Sequence, residues 1–354
     1  MTMPPWYATR EDVTRALDSK LTARNAGQID RALESCSRDV ESLCHRTFHP
    51  VLDTRYFDWP SRQGGTSGVL RLDQNDLISV TALTSGGTAI APGDYFLEPA
   101  NDGPPYTRVE IDRASSAAFG GGDTYQRDVT ITGLWGYRDD EGPAGALAAA
   151  VATTTGTTVT VNAAGSAALG VGSVLRVDTE RMTVTGRRMA LTGQTTATAL
   201  TAQANSVIVE VADGSLFAVD ETILIDGERM LIVDIAGTNL IVKRAWDGTV
   251  LAAHSQAAAI YAPRALTVTR GALGTTAAVH ADAATVTRWD PPGLVHDLTI
   301  AEAISRLTSE TSGYTRALRS GEGSSERNRD QGALKSLREA TYDACGRKAR
   351  MRSV

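Results

Sequence analysis

Apolar positions change period twice along the chain, and each change marks a structural boundary. Near the N-terminus Val13, Leu17 and Leu21 recur every fourth residue. Thr9 and Asp12 before them form a capping-box variant with Asp in place of the usual Glu. Asn25 and Gln28 give a second start signal, followed by an apolar stripe of Ile29, Leu33, Cys36, Val40 and Leu43 that Pro50 closes. Two amphipathic helices are predicted. From Arg55 to Tyr137 the period becomes two, with β-branched and aromatic residues between Gly, Pro, Asn and Asp clusters. This predicts strands over 54–58, 69–72, 78–84, 95–98, 108–111 and 129–133, a hairpin turn at Gly86-Gly87, and a mobile glycine loop at 120–122.

The middle of the chain repeats itself. Residues 159–184 align with 207–232 at an offset of 48 without a gap, so that Val159, Val161, Leu169 and Asp178-Thr-Glu-Arg-Met182 fall on Val207, Val209, Phe217 and Asp226-Gly-Glu-Arg-Met230. Residues 240–260 align with 266–286 at an offset of 26, which superposes Arg244 on Arg270 and His254 on His280. One unit, 207–262, is therefore whole. The other is split into 159–190 and 265–288 around it. The order implies nesting: module two (207–262) inserted in a loop of module one (159–190 with 265–288). Alternating apolar residues and glycine turns predict small barrels or sandwiches. Alone, a module of about 55 residues would bury only about 60% of its unfolded surface.

After Asp290-Pro291-Pro292 a helical period returns, with Leu298, Ala301, Ile304, Ser305, Leu307 and Thr308 on one face. A polar linker at 320–332 and a last helix through Leu334, Leu337, Ala340, Thr341 and Ala344, stopping at Gly346, complete the reading. The expected fold class is α+β: a helical core with a β subdomain over 1–142 and 290–354, and an inserted all-β region over 143–289.

Composition narrows the function. With 354 residues, 42% apolar, a net charge of −6 and three cysteines, the chain does not fit a disordered protein, a disulfide scaffold or a four-cysteine zinc site. No apolar run reaches the ~18 residues of a membrane span, and no signal peptide is visible, so a soluble protein made inside the cell is expected. Charge is uneven. Residues 1–142 carry 21 acidic and 14 basic side chains, whereas 327–354 carry three and eight. The acidic start and basic end could attract one another within one chain or between copies. The tail reads either as a solvated end or as an arm that docks on another protein or near DNA phosphates.

Candidate chemistry is sparse. Cys36, Cys44, His45 and His49 could hold a metal, but cysteines eight apart on an apolar helix face read as small hydrophobes. His254 and His280 read as turn histidines bonded to backbone, or as a ligand pair. Asp178/Glu180 and Asp226/Glu228 read as carboxylate dyads or as ion pairs with the arginines that follow. No phosphate loop, nucleophile elbow or His-Glu-x-x-His is present. No enzyme and no cofactor are expected.

One resemblance organises these features. Two short helices lead through Thr47-Phe-His-Pro50 into Thr54-Arg-Tyr-Phe-Asp58, then Leu77-Ile-Ser-Val-Thr-Ala-Leu83, Asp94-Tyr-Phe-Leu-Glu-Pro99, and Val129-Thr-Ile-Thr-Gly-Leu-Trp-Gly-Tyr137, before a helix and an Arg-rich tail. This order resembles the head–tail connector (adaptor) proteins of long-tailed bacteriophages over about 1–140 and 290–354. The resemblance implies a virion protein that forms a ring, commonly of twelve copies, beneath the portal protein. The next connector, stopper or tail protein would sit on its other face, and DNA would pass through the lumen unread. It also implies that the C-terminal segment reaches the portal, with Arg338, Arg347, Lys348, Arg350 and Arg352 as contacts. The double module would be an insertion in that core, removable without unfolding it. A virion adhesin or carbohydrate-binding protein acting through the modules is the alternative, and a small hydrolase using module carboxylates a more remote one.

Overall fold

A computed structural model describes residues 4–17, 23–60, 67–314 and 324–347. In chain order the helices and strands are α1 (Arg10–Leu17), α2 (Ala23–Cys44), β1 (Val51–Phe57), β2 (Val69–Arg71), β3 (Leu77–Ser85), β4 (Thr88–Ala89), β5 (Tyr95–Glu98), β6 (Arg108–Ile111) and β7 (Val129–Trp135). Then follow β8 (Glu141–Ala146), β9 (Thr158–Thr160), α3 (Ala163–Ala168), β10 (Val174–Val177), β11 (Glu180–Thr195), β12 (Ile208–Glu210), β13 (Thr222–Ile225) and β14 (Glu228–Ala236). The last are β15 (Asn239–Lys243), β16 (Ala259–Thr269), β17 (Thr285–Trp289), α4 (Gly293–Tyr314) and α5 (Ser324–Cys345).

The expected fold class is corrected here. The chain is mainly β, 35% strand against 25% helix, in three sheets, and it has no helical adaptor core. Among the described residues most of the buried apolar side chains sit on paired strands, and the helices supply a minority. Nor are there two separate barrels or sandwiches. The inserted region forms one ten-stranded sheet in the order β12-β15-β14-β13-β16-β11-β10-β17-β8, with β9 on β16. The polar stretch expected to be a linker over 320–332 is helical from Ser324 onward, and 320–323 lie outside the described residues.

The chain clusters into two compact units, 1–40 with 141–341 and 41–140 with 342–354. In the second, β1-β7-β3-β4 and β2-β6-β5 enclose a core of Phe57, Leu70, Leu77, Leu83, Val109, Ile131 and Trp135. Gly86-Gly87 turns β3 into β4. The loop at 120–122, expected to be mobile, is tied down: the Gly120 N–H donates to Ser85 Oγ at 2.8 Å, and Asp128 accepts from Ser85 Oγ and the Gly86 N–H.

In the first unit, Thr9 and Asp12 form the reciprocal cap, with the Thr9 N–H on Asp12 Oδ2 at 2.9 Å and the Asp12 N–H on Thr9 Oγ1 at 3.1 Å. The stripe Val13, Ile29, Leu33 and Cys36 packs with Ala303 of α4. The buried face of α4 is Val295, Leu298, Thr299, Glu302 and Ala303, rotated from the expected one, and Ser305 and Thr308 are exposed. The inserted strands build two cores, one around Val159, Leu175, Met182, Val268 and Val286, the other around Val209, Ile223, Met230, Val242 and Ile260. Val177 stands opposite Glu180 and Val286, and the equivalent Ile225 opposite Glu228 and Ile260. A ribbon of β11 and β16, from Thr183 opposite Thr269 to Thr195 opposite Ala259, joins the two.

The gapless offset fails at one place. Val159 pairs with Leu266, and Val209 pairs with Leu240, so Val159 is equivalent to Val209 rather than Val207. Two extra residues in the α3 turn restore the offset of 48 at Leu169. A shift of two keeps a strand's faces unchanged, so the apolar pattern could not reveal it.

Candidate functional site

Each module is centred on a carboxylate that is wholly buried. Glu180 begins β11 and Glu228 begins β14, both at 0% exposure, just after tight turns in which Asp178 and Asp226 adopt φ of 51° and 50°. Asp tolerates this left-handed conformation better than most residues. Glu180 Oε1 accepts from Arg270 Nε at 2.7 Å and the Gly271 N–H at 2.9 Å. Its Oε2 accepts from Arg270 Nη2 at 2.8 Å and the Ala278 N–H at 2.9 Å, and faces His280 Nε2 at 2.8 Å. Module two repeats this bond for bond: Glu228 receives Arg244, the Ala245 and Ala252 N–H groups, and His254 Nε2, all between 2.7 and 3.0 Å. The outer nitrogens of the imidazoles meet Asp178 at 2.8 Å and Asp226 at 2.7 Å. Arg270 also donates to the carbonyls of Thr153 and Gly156, and Arg244 to those of Thr201 and Ser206.

These contacts revise three sequence readings. The histidine rings bond carboxylates, not backbone. Arg270 and Arg244 hold the glutamates, while the adjacent Arg181 pairs with Glu141 and Arg229 with Asp247. The Asp and Glu of each pair do not share a strand face, because each Asp lies in the turn. With five donors on two oxygens, neither glutamate keeps a lone pair to offer a substrate or metal. The arrangement is a staple that ties a hairpin to a distant turn.

Burial alone pushes the Glu180 and Glu228 carboxyls up. The arginine bonds, the backbone N–H groups and the histidines outweigh it and bring both down to about 2. Lowered carboxylates contribute stability that is complete above the ordinary carboxylate range and lost as pH falls through it towards 2. Thermal melts between pH 6 and pH 2.5 should show midpoints that decline through acid. Glu228→Gln should flatten that decline, and an unchanged slope would show that other carboxylates govern it.

The remaining expected residues are dispersed. Cys36 packs in the α1–α2–α4 core, and burial pushes its thiol up to about 12 and that of Cys44 to about 11. His49 lies 3.7 Å from Glu41, and His45 is exposed. Among the described residues no cluster of His, Cys, Asp and Glu is arranged to hold a metal. Arg338 pairs with buried Glu302 at 2.8 Å. Arg347 lies on buried Asp76 at 2.6 Å, with its N–H on the Cys44 carbonyl. Lys348, Arg350 and Arg352 lie outside the described residues.

One feature escaped sequence reasoning. The segment before α1 and the first residues of α1 are seated on module one: the Arg10 N–H donates to the Val171 carbonyl at 3.0 Å, the Val171 N–H donates to Glu11 Oε2 at 2.7 Å, and Arg187 pairs with Glu11 at 3.3 Å. Tyr7 lies 5.9 Å from Trp289, ring to ring. Gly170 and Gly172, which no periodicity weighs, were the available signal. A Cβ on either would meet Glu11 or the Trp6 ring at 2.5 Å.

Compared with protein-family models, curated proteins and solved structures, the chain has no match in any of the three. No helix among the described residues is long and apolar enough to cross a membrane.

Proposed function

We propose that this chain is a structural protein of a bacteriophage neck, a head-to-tail adaptor that assembles as a ring under the portal protein and meets the next connector, stopper or tail protein on its other face. One observation carries the reading. Of the five segments that carry the resemblance, 54–58, 77–83 and 129–137 contribute neighbouring strands of one sheet, β1-β7-β3, around Trp135, and 94–99 contributes β5 of the other. Motifs with as many as 70 residues between them thus serve one piece of structure. The saturated Glu180 and Glu228 clusters favour a non-enzymatic role, since their polar atoms are spent on holding backbone. A ring closes through heterologous contacts, in which two different surfaces of each copy meet. Mass photometry of the purified chain, alone and with portal protein, should give an assembly of roughly a dozen copies. A monomer under every condition, portal included, overturns the reading.

A further inference from the structure

The two modules share the backbone hydrogen bonds of one loop and differ in what covers it. In module one the Gly172 N–H donates to the Val184 carbonyl and the Ser173 N–H to Gly170. Module two repeats both bonds, from Asp220 to Ile232 and from Glu221 to Ala218. On module one this loop is occupied by the segment before α1 and the first residues of α1, and Val171 is only 2% exposed. On module two the equivalent Val219 is 46% exposed and Leu216 is 43% exposed. The Val219 N–H and carbonyl have no hydrogen-bond partner among the described residues.

A segment like that of residues 6–11 does not fit there. The glycines that admit it on module one are replaced by Ala218 and Asp220, and a Cβ at the glycine positions would meet Glu11 or the Trp6 ring at 2.5 Å. The charge differs as well. Residues 210–234 hold seven acidic side chains and one basic, Arg229, whereas the equivalent 160–186 hold two of each; Arg264 pairs with Glu221 and donates to the Leu216 carbonyl, and Arg244 pairs with Glu228. Of the acids, Asp213 and Asp220 flank the two apolar side chains and are exposed. The surface asks for an extended segment that is basic, carries an aliphatic side chain, and has backbone groups to offer Val219.

We infer that the module two loop Leu216–Asp220 is a docking site for the C-terminal segment 348–354 of a second copy of this chain. That segment places Lys348, Arg350 and Arg352 among Met351 and Val354, a run in which basic and apolar residues alternate closely. Arg347, just before it, is already held by Asp76. The contact rests on the ring reading for its place in the assembly, and it sends the tail to a neighbouring copy in place of the portal. Binding itself needs no ring.

The test uses a fluorescein-labelled peptide of residues 346–354 and fluorescence anisotropy with the full chain. Saturable binding is expected, weakening as salt rises. It should fall at least tenfold with Val219→Asp and with Asp220→Lys. Both positions are exposed, so circular dichroism should show wild-type folding, and Asp220→Asn gives a milder second variant. A peptide in which both Arg350 and Arg352 are changed to Glu should not bind. No saturable binding to the wild type, or equal binding to the variants, overturns the inference. Mass photometry is read separately: rings without peptide binding sink this site alone, peptide binding by a chain that forms dimers or open chains but no ring supports the site while sinking the ring, and peptide binding by a chain that never leaves the monomer overturns the second copy as occupant.

Discussion

Glu228→Ala should cost about 3–5 kcal/mol of stability, the range for removing one partner of a buried ion pair. The substitution leaves Arg244, 3% exposed at its side chain, and the His254 ring facing an empty centre, with the Ala245 and Ala252 N–H groups bereft of their acceptor. Glu180→Ala should cost a similar amount, because Arg270, Gly271, Ala278 and His280 stand in the same relation to it. Asp226→Asn provides the contrast: its carboxylate is 64% exposed at the side chain, so its loss should cost about 1 kcal/mol or less. Urea denaturation followed by circular dichroism would measure all three. A loss below about 1 kcal/mol for Glu228→Ala would mean that the cluster is dispensable and that the apolar core alone holds the module.

Trp135→Ala should be comparably severe, about 3–5 kcal/mol, as expected for a buried aromatic truncated to a methyl group. Trp135 is 1% exposed, packs on Phe57 at 5.9 Å, lies under the Arg55 guanidinium at 4.5 Å, and donates from Nε1 to the Asp53 carbonyl at 3.1 Å. It thus fastens β7 to β1 through side chain as well as backbone. Trp135→Phe keeps most of the volume and loses the hydrogen bond, so it should cost about 1–2 kcal/mol. Equal losses for the two variants would show that the indole N–H, not packing, carries the effect. Tryptic digestion should show faster cleavage within 41–140 in Trp135→Ala.

Much of the strand pattern was legible because its cause is local. The edges of β5 and β6 follow from alternation between turn residues, and the Thr9–Asp12 cap from two side chains three apart. The repeat was legible too, since offsets of 48 and 26 are counted, not inferred, although the offset of 48 misplaces the strand around Val159 by two residues. What sequence could not give depends on partners far along the chain. Arg181 and Arg229 are the obvious partners for the neighbouring glutamates, yet a strand turns adjacent side chains to opposite faces, so Glu180 meets Arg270 and Glu228 meets Arg244. The helical emphasis failed for a related reason. An apolar stripe on α4 looks like core wherever it lies, and only packing showed that Ser305 and Thr308 fall outside it. The seat of residues 6–11 on module one rested on the absence of two side chains, a signal that hydropathy does not register.

Nesting also imposes an order in time. As the chain leaves the ribosome from its N-terminus, module two has all its strands once residue 262 is made, and its buried carboxylate meets its arginine across only 16 residues. Module one's carboxylate must wait for an arginine 90 residues further on. Until then its first half, with Val159, Val161, Leu175 and Met182 destined for burial, has no second half to close against. The inner module is complete while the outer one is still half a structure, and the growing β11–β16 ribbon is what brings the late half back to the early one.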